Sequence, residues 1–200
     1  MSRIEICGGI ASGKTTLARI LARTGREVAL EEFRSNPFWR DFCANPSINA
    51  FETELTFLLQ HYHAVKSRGQ KPVVYDFSFL LDLAYANLNL TGTRRAVFQG
   101  LYDEVLRELK PPGLIVNLQC SAKTEMLRIK ARGREEERAL DFHYINAVND
   151  SVGRVVSDLP VGVRVVTIDS ERENFAASKS SRVKVATAVI VAHEQLEQGK

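Results

Sequence analysis

Ile4-Glu5-Ile6-Cys7 runs directly into Gly8-Gly9-Ile10-Ala11-Ser12-Gly13-Lys14-Thr15-Thr16. Gly8, Gly13, Lys14 and Thr15 satisfy the spacing G-x-x-x-x-G-K-[ST], which closes backbone N–H groups around phosphate oxygens. Each residue type has a reason to be there. The short apolar run predicts a strand that delivers the chain into a tight turn, and glycines let the amides approach an anion. The helix that follows starts with its positive end at the same place, and Leu17, Ile20 and Leu21 give it one apolar face. Lys14 adds a point charge on the outer phosphates, and the Thr15 hydroxyl is a ligand for Mg²⁺. Gly8, Gly9, Ile10, Ala11, Ser12, Gly13, Lys14, Thr15 and Thr16 are therefore the candidate contacts for a nucleoside triphosphate with Mg²⁺. At average amino-acid usage the pattern arises by accident in about one chain of this length in a hundred.

Working outward, 200 residues suit one domain with a full core and a mobile lid. A hydrophobic fraction of 44% and a charged fraction of 26% are ordinary for a globular chain. A net charge of +3 is too small to point to nucleic acid or a membrane surface. No apolar run approaches a membrane span, and no signal-peptide pattern opens the chain. Cys7, Cys43 and Cys120 are odd in number and far apart, which predicts free thiols in a reducing cytoplasm.

The hydrophobic periodicity predicts alternating helices and strands. Helices are expected over about 14–23, 50–66, 79–85, 97–109, 123–131 and 140–156, with a last one rich in Val and Ala after Ser178–Ser181. Strands are expected at 4–7, 28–30, 73–75, 114–118 and 163–168. Arg34-Ser35-Asn36-Pro37-Phe38-Trp39 reads as a turn followed by an aromatic pair, and Arg68-Gly69-Gln70-Lys71-Pro72 as a break. Ser121 reads as a helix N-cap. The alternation means an α/β fold: a parallel sheet of five strands covered by helices on both faces.

Three constellations bear on what is done with the nucleotide. Glu31 and Asp76 end the second and third strands, where open α/β sheets place their ligands. A phosphoryl-transfer site needs an acid to orient and deprotonate the acceptor and acidic help around Mg²⁺; Thr15, Asp76 and Glu31 are the candidates on the metal side. Arg128 and Arg132 are one turn apart, and Gly133 lets Arg134 point back, which predicts a lid closing over the phosphates. Phe38, Trp39, Phe57, His61, Phe77 and Tyr85 could wall a flat base, with Glu54, Phe57 and His61 on one stripe of their helix. Lone histidines such as His61 and His63 are more often surface residues.

The same segments resemble the deoxynucleoside kinase family, in particular its small bacterial members. GGIASGKTT is similar to that family's phosphate loop. Leu30-Glu31-Glu32-Phe33-Arg34-Ser35-Asn36-Pro37-Phe38 is similar to its segment carrying the acceptor base, and residues 50–59 to its substrate-lining helix. Tyr75-Asp76-Phe77-Ser78 stands where the family has Asp/Glu-Arg-Ser, and residues 128–137 resemble its arginine lid. The likeness runs from about residue 2 to 170.

The resemblance implies a single P-loop kinase domain over 1–200, three-layered, with its lid at about 132–138. It implies transfer of the ATP γ-phosphate to a nucleoside 5′-hydroxyl. Glu31 would be the base, Asp76 and Thr15 would serve the magnesium, Arg132 and Arg134 would clamp phosphates, Arg128 would stack on adenine, and Glu137 would approach the sugar. Homodimers are typical of the family.

Three positions depart from the pattern. Phe77 replaces the family's arginine, which removes one positive contact near the acceptor hydroxyl. Glu54 replaces the glutamine that reads a base edge; a carboxylate accepts from amino groups and repels a carbonyl. Cys43 stands where a tyrosine often approaches the sugar. Two other readings remain at this level: a kinase for a nucleoside monophosphate or another small metabolite, with Arg34, Arg94 and Arg95 as spare arginines, and a slow nucleotide-binding regulator.

Overall fold

A computed structural model describes residues 3–69, 71–160 and 162–198. Gln70, inside the expected break, lies outside the described residues. Five strands, β1 (Ile4–Gly8), β2 (Glu27–Ala29), β3 (Val73–Tyr75), β4 (Leu114–Gln119) and β5 (Val165–Asp169), form one sheet in the order β2-β3-β1-β4-β5. All four pairings are parallel. β1 and β3 are buried along their whole length and β4 up to Gln119, which is why they read as continuous apolar runs.

The helices are α1 (Lys14–Ala22), α2 (Trp39–Ala44), α3 (Ala50–Arg68), α4 (Phe79–Asn89), α5 (Gly92–Leu109), α6 (Ala122–Arg132), α7 (Phe142–Ser157) and α8 (Lys179–Gln198). Ile4, Ile6, Leu114 and Val116 pack with Leu17 and Leu21 of α1 and Val189 of α8 on one face of the sheet. The alternate residues turn the other way. Cys7 and Ile115 meet α4 and α7, and Tyr75 joins Leu58 of α3 and Phe98 of α5. Among the described residues no helix is long and apolar enough to cross a membrane.

Glu5 is the polar exception inside this layer, and it positions the loop that carries Asp76. One of its oxygens accepts from the Arg3 guanidinium at 2.7 Å. The other accepts from the Ser78 hydroxyl at 3.0 Å and the Phe79 amide at 3.2 Å. A buried carboxylate stays only when so partnered, and here it pins the start of α4 beneath β1.

The structure departs from the sequence reading in four local places. β2 ends at Ala29, and Leu30 is exposed. The expected turn at 34–39 extends only to Phe38: Asn36 accepts from the Phe38 amide at 3.1 Å and donates to the Thr53 carbonyl at 3.0 Å, after which α2 buries Phe42 and Cys43. α5 begins five residues before Val97 and turns Phe98, Tyr102 and Val105 inward, leaving Val97 and Leu101 exposed. Both stripes have helical spacing, and the larger stacked rings of Phe98 and Tyr102 take the core. In α3, Leu59 is exposed while Thr53, Glu54, Phe57 and His61 are buried.

Ser121 caps α6 as expected, accepting from the Thr124 amide at 3.2 Å. Ser121→Ala is expected to lower stability by about 1 kcal/mol, read as a small drop in Tm with the same denaturant slope.

Candidate active site

The C-terminal ends of β1, β2 and β3 open into a cavity of about 880 Å³. The phosphate loop forms its floor. Gly8 and Gly13 have φ of +143° and +113°, where side chains are strained. A Cβ on Gly8 would stand 2.6 Å from the Leu118 carbonyl oxygen, and one on Gly13 would stand 3.0 Å from the Phe175 ring. Lys14 Nζ bends over the loop and donates to the carbonyls of Gly8 and Gly9, each at 2.9 Å. Ile10, Ala11, Gly13, Lys14, Thr15 and Thr16 reach the cavity, whereas Gly8, Gly9 and Ser12 shape the loop from behind.

The two strand-end acids converge beside this loop and hold different partners. Asp76 is 2% exposed. It accepts from the backbone amide of Glu31 and from the Thr15 hydroxyl. Burial pushes its carboxyl up against those two donors. Glu31 points into the cavity, and one of its oxygens accepts from His61 Nε2 at 3.2 Å. Burial favours the neutral form of Glu31, but the His61 hydrogen bond and charge, with Lys14 and Arg134, win and hold it below the usual carboxylate range. It is an anion facing the loop.

His61 is 4% exposed, which corrects the surface reading of lone histidines; His63 is the exposed one. Its Nδ1 lies 2.9 and 3.0 Å from the two oxygens of Asp82. Both ring nitrogens face carboxylate oxygens, which only accept, so both carry a proton. Burial opposes the charge, but Asp82 and Glu31 outweigh it and push the imidazole up to about 10. Phe77 does not reach the cavity. It is 2% exposed and stacks behind the imidazole, with centroids 3.9 Å apart and planes at 7°, so the wall position expected for it passes to other groups. Asp82 was missed in the sequence. A single charge within Phe79-Leu80-Leu81-Asp82-Leu83-Ala84 was the available signal, since a buried acid demands a partner.

The far end of the cavity is walled by Trp39, Phe57 and Tyr85 around Glu54. Trp39 and Phe57 meet edge to face, and the indole Nε1 is buried without a partner, a donor left for a ligand. Phe38 does not reach this wall. Cys43 is buried behind it, and burial pushes its thiol up to about 12. Glu54 is 2% exposed and accepts from Asn89 Nδ2 at 2.9 Å; Asn89 also donates to the Tyr144 hydroxyl. Burial, with the nearby Asp82 charge, pushes Glu54 up to about 8, over the opposing Asn89 bond. At neutral pH it is a carboxylic acid, with one O–H to donate and one carbonyl to accept.

This has a consequence for stability. A folded-state value above the unfolded one means that the folded chain holds the extra proton between about pH 4.5 and 8, so stability falls as pH rises through that window. Glu54→Gln removes this contribution. The drop in Tm between pH 5 and pH 8.5 is expected to be smaller in the variant than in the wild type.

The lid side is arginine-rich as expected, with a carboxylate at its centre. Glu137 accepts from Arg132 at 2.6 and 2.5 Å and from Arg134 at 3.2 Å. The Arg134 guanidinium also lies 4.3 Å over the Phe33 ring. All three residues line the cavity. Arg128 braces the loop, donating to the carbonyls of Ala11 and Ser12 at 3.2 and 3.1 Å and to the Ser170 carbonyl at 2.6 Å.

With this geometry in place, the likeness to known proteins is decisive. The family model described as deoxynucleoside kinase matches residues 4–193. The chain belongs to the deoxynucleoside kinase family. A deoxyguanosine kinase of Bacillus subtilis is 26% identical over 204 residues, covering 93% of this chain and 95% of the relative. A deoxyadenosine kinase of Dictyostelium discoideum is 23% identical over 176 residues, covering 84% and 72%. Among solved structures, the deoxyadenosine kinase of M. mycoides with bound dCTP superposes with a TM-score of 0.80 at 20% identity, over 95% of this chain and 99% of that one. The fold is the one expected, and the enzyme is an ATP-dependent phosphotransferase that acts on a nucleoside hydroxyl.

Proposed function

We propose that this deoxynucleoside kinase phosphorylates the 5′-hydroxyl of a deoxynucleoside, with Glu31 as the base. The observation that carries the reading is the Glu31 carboxylate, aimed into the same cavity as Lys14 and Thr15, with its backbone tied to Asp76. A base must be ionised and within reach of the proton it takes. Glu31 accepts the hydroxyl proton as the acceptor oxygen bonds to the γ-phosphorus and the bond to the ADP oxygen breaks. Lys14 and the loop amides of 8–15 stabilise the charge on the phosphoryl oxygens. Arg132 and Arg134 serve the same charge from the lid, residues 132–138 of a single domain spanning 1–200.

Among the described residues no three His, Cys, Asp or Glu side chains gather into a metal cage. Mg²⁺ needs none, because it takes one or two carboxylates and completes its shell with phosphate oxygens and water. The Thr15 hydroxyl beside the Asp76 carboxylate fits that requirement. Bound there, the ion would neutralise phosphate charge; Glu31, engaged by His61, keeps the proton-accepting role.

For the acceptor, Trp39, Phe57 and Tyr85 supply the apolar walls for a base, and Glu54 its polar edge. His61 supports Glu31 from behind, and Glu137 stands on the sugar side. The names of the relatives favour a purine base. Arg128 offers its face to the donor adenine while its N–H groups brace the loop. The family resemblance supports a homodimer, and three free cysteines support a reducing cytoplasm.

A monophosphate acceptor would need a further arginine. Arg34 is bonded to Glu136 on the surface, Arg94 lies over Phe51, and Arg95 bonds Asn87 and Gln99; none of them lines the cavity. A phosphotransfer assay over deoxynucleosides, ribonucleosides and monophosphates tests the reading. Deoxynucleosides are expected to be turned over and monophosphates not; preference for monophosphates, or ATP hydrolysis without any acceptor, overturns it. In the same panel Glu54→Gln is expected to reorder the acceptor bases, and an unchanged order would remove Glu54 from the base edge.

A further inference from the structure

The imidazole of His61 occupies a slot built from three elements. Both carboxylate oxygens of Asp82 on α4 face its Nδ1–H, which donates to them at 2.9 and 3.0 Å. Glu31, after β2, accepts from its Nε2–H at 3.2 Å. The ring is stacked on Phe77 and lies 5.9 Å from Phe57 at 25°; Phe79 meets it edge-on. With both nitrogens engaged and the ring stacked on Phe77, it cannot rotate without breaking a charged hydrogen bond. Glu31 sits on a short segment outside the sheet, and its side chain has three rotatable bonds of its own. A hydrogen bond from a fixed donor selects one of its rotamers.

We propose that His61 and Asp82 form a positioning pair for Glu31, holding one carboxylate oxygen so that the other faces the acceptor hydroxyl. This rests on the reading of Glu31 as the base. The pair also supplies a positive group beside Glu31 from α3, where the residue following Asp76 is the uncharged Phe77. Asp82 fixes the ring; His61 fixes the carboxylate. Neither residue needs to touch the reacting atoms.

The test uses the full-length enzyme with the best acceptor found in the panel. His61→Gln keeps one donor but loses the second and the charge; Asp82→Asn keeps the shape of the anchor and loses its charge. The pair predicts that kcat falls about a hundredfold in His61→Gln and about tenfold in Asp82→Asn. KM for ATP is expected to stay within twofold in both, and the ranking of acceptor bases to stay as in the wild type. His61→Ala opens a slot beside the Phe77 ring, and added imidazole is expected to restore at least a tenth of the lost kcat in a saturable way. A merely structural histidine would change Tm and leave kcat untouched in the folded fraction. Wild-type kcat in a folded His61→Gln or Asp82→Asn variant overturns the proposal. So does a reordered base ranking with kcat retained, which would make the pair a reader of the acceptor. If wild type turns over nucleosides and Glu31→Gln is dead while His61→Gln is not, only this inference fails; if Glu31→Gln is fully active, the assignment of the base fails first.

Discussion

Lys14→Ala is expected to abolish turnover, with kcat/KM falling about a thousandfold or more. The side chain carries the cation that the phosphate loop's own sequence, residues 8–16, supplies. In the structure its ammonium is folded over the carbonyls of Gly8 and Gly9 at 2.9 Å each, so its charge is already at the mouth of the loop. Removing it leaves the loop amides, which hold phosphate oxygens but carry no full charge to match what develops on the leaving and transferred groups. The backbone is not the casualty: Gly13 sets the turn, and Leu17 and Leu21 of α1 remain buried. Steady-state assays with a thermal melt on the same preparation check this. Lys14→Arg is expected not to rescue, because a planar guanidinium does not fit where a compact ammonium bends back on two carbonyls. A fully folded Lys14→Ala enzyme at wild-type rate would remove the loop from the chemistry.

What could be read in the sequence was local or periodic. Gly8 to Thr16 was legible because its geometry is set within nine residues by glycine φ angles and a helix start. The three inner strands were legible because burial on both faces leaves apolar runs, as in Leu114-Ile115-Val116, whereas the edge strands β2 and β5 are only partly buried and read from their short apolar stretches alone. Glu31 and Asp76 were legible as strand ends. The contacts of His61 were not, because its partners lie 21 and 30 residues away and meet it only once α3 crosses α4. The same long-range packing explains Phe77: its neighbour Asp76 faces the loop, while Phe77, in the bend after β3, is stacked on His61 of α3. Glu54 was legible as a departure from glutamine, but not as an acid held neutral by burial, which depends on the walls around it. The inward face of α5 was misjudged because two stripes, 97–101 and 98–102, have the same spacing. Only the packing partners choose between them.

Glu31→Gln should separate proton transfer from nucleotide binding, and its expected effect is a fall in kcat of about 10²- to 10⁴-fold with ATP affinity unchanged. The amide keeps the size of the side chain and can still accept from His61 through its oxygen, so neither the slot nor the loop is disturbed. What it loses is the capacity to take a proton. Glu31 is held below the ordinary carboxylate range by His61, Lys14 and Arg134, so in the wild type the base is ionised throughout the neutral range. The donor side is held by other groups: Thr15 bonds Asp76, and Asp76 meets Glu31 through the backbone amide of residue 31, which the substitution leaves in place. Binding of a fluorescent ATP analogue and single-turnover phosphotransfer give the two quantities separately. Loss of kcat alone assigns the base. A collapse of nucleotide affinity would move Glu31 to the metal or to the scaffold, and with it the division of labour between the two acids that the geometry of Thr15, Asp76 and His61 supports.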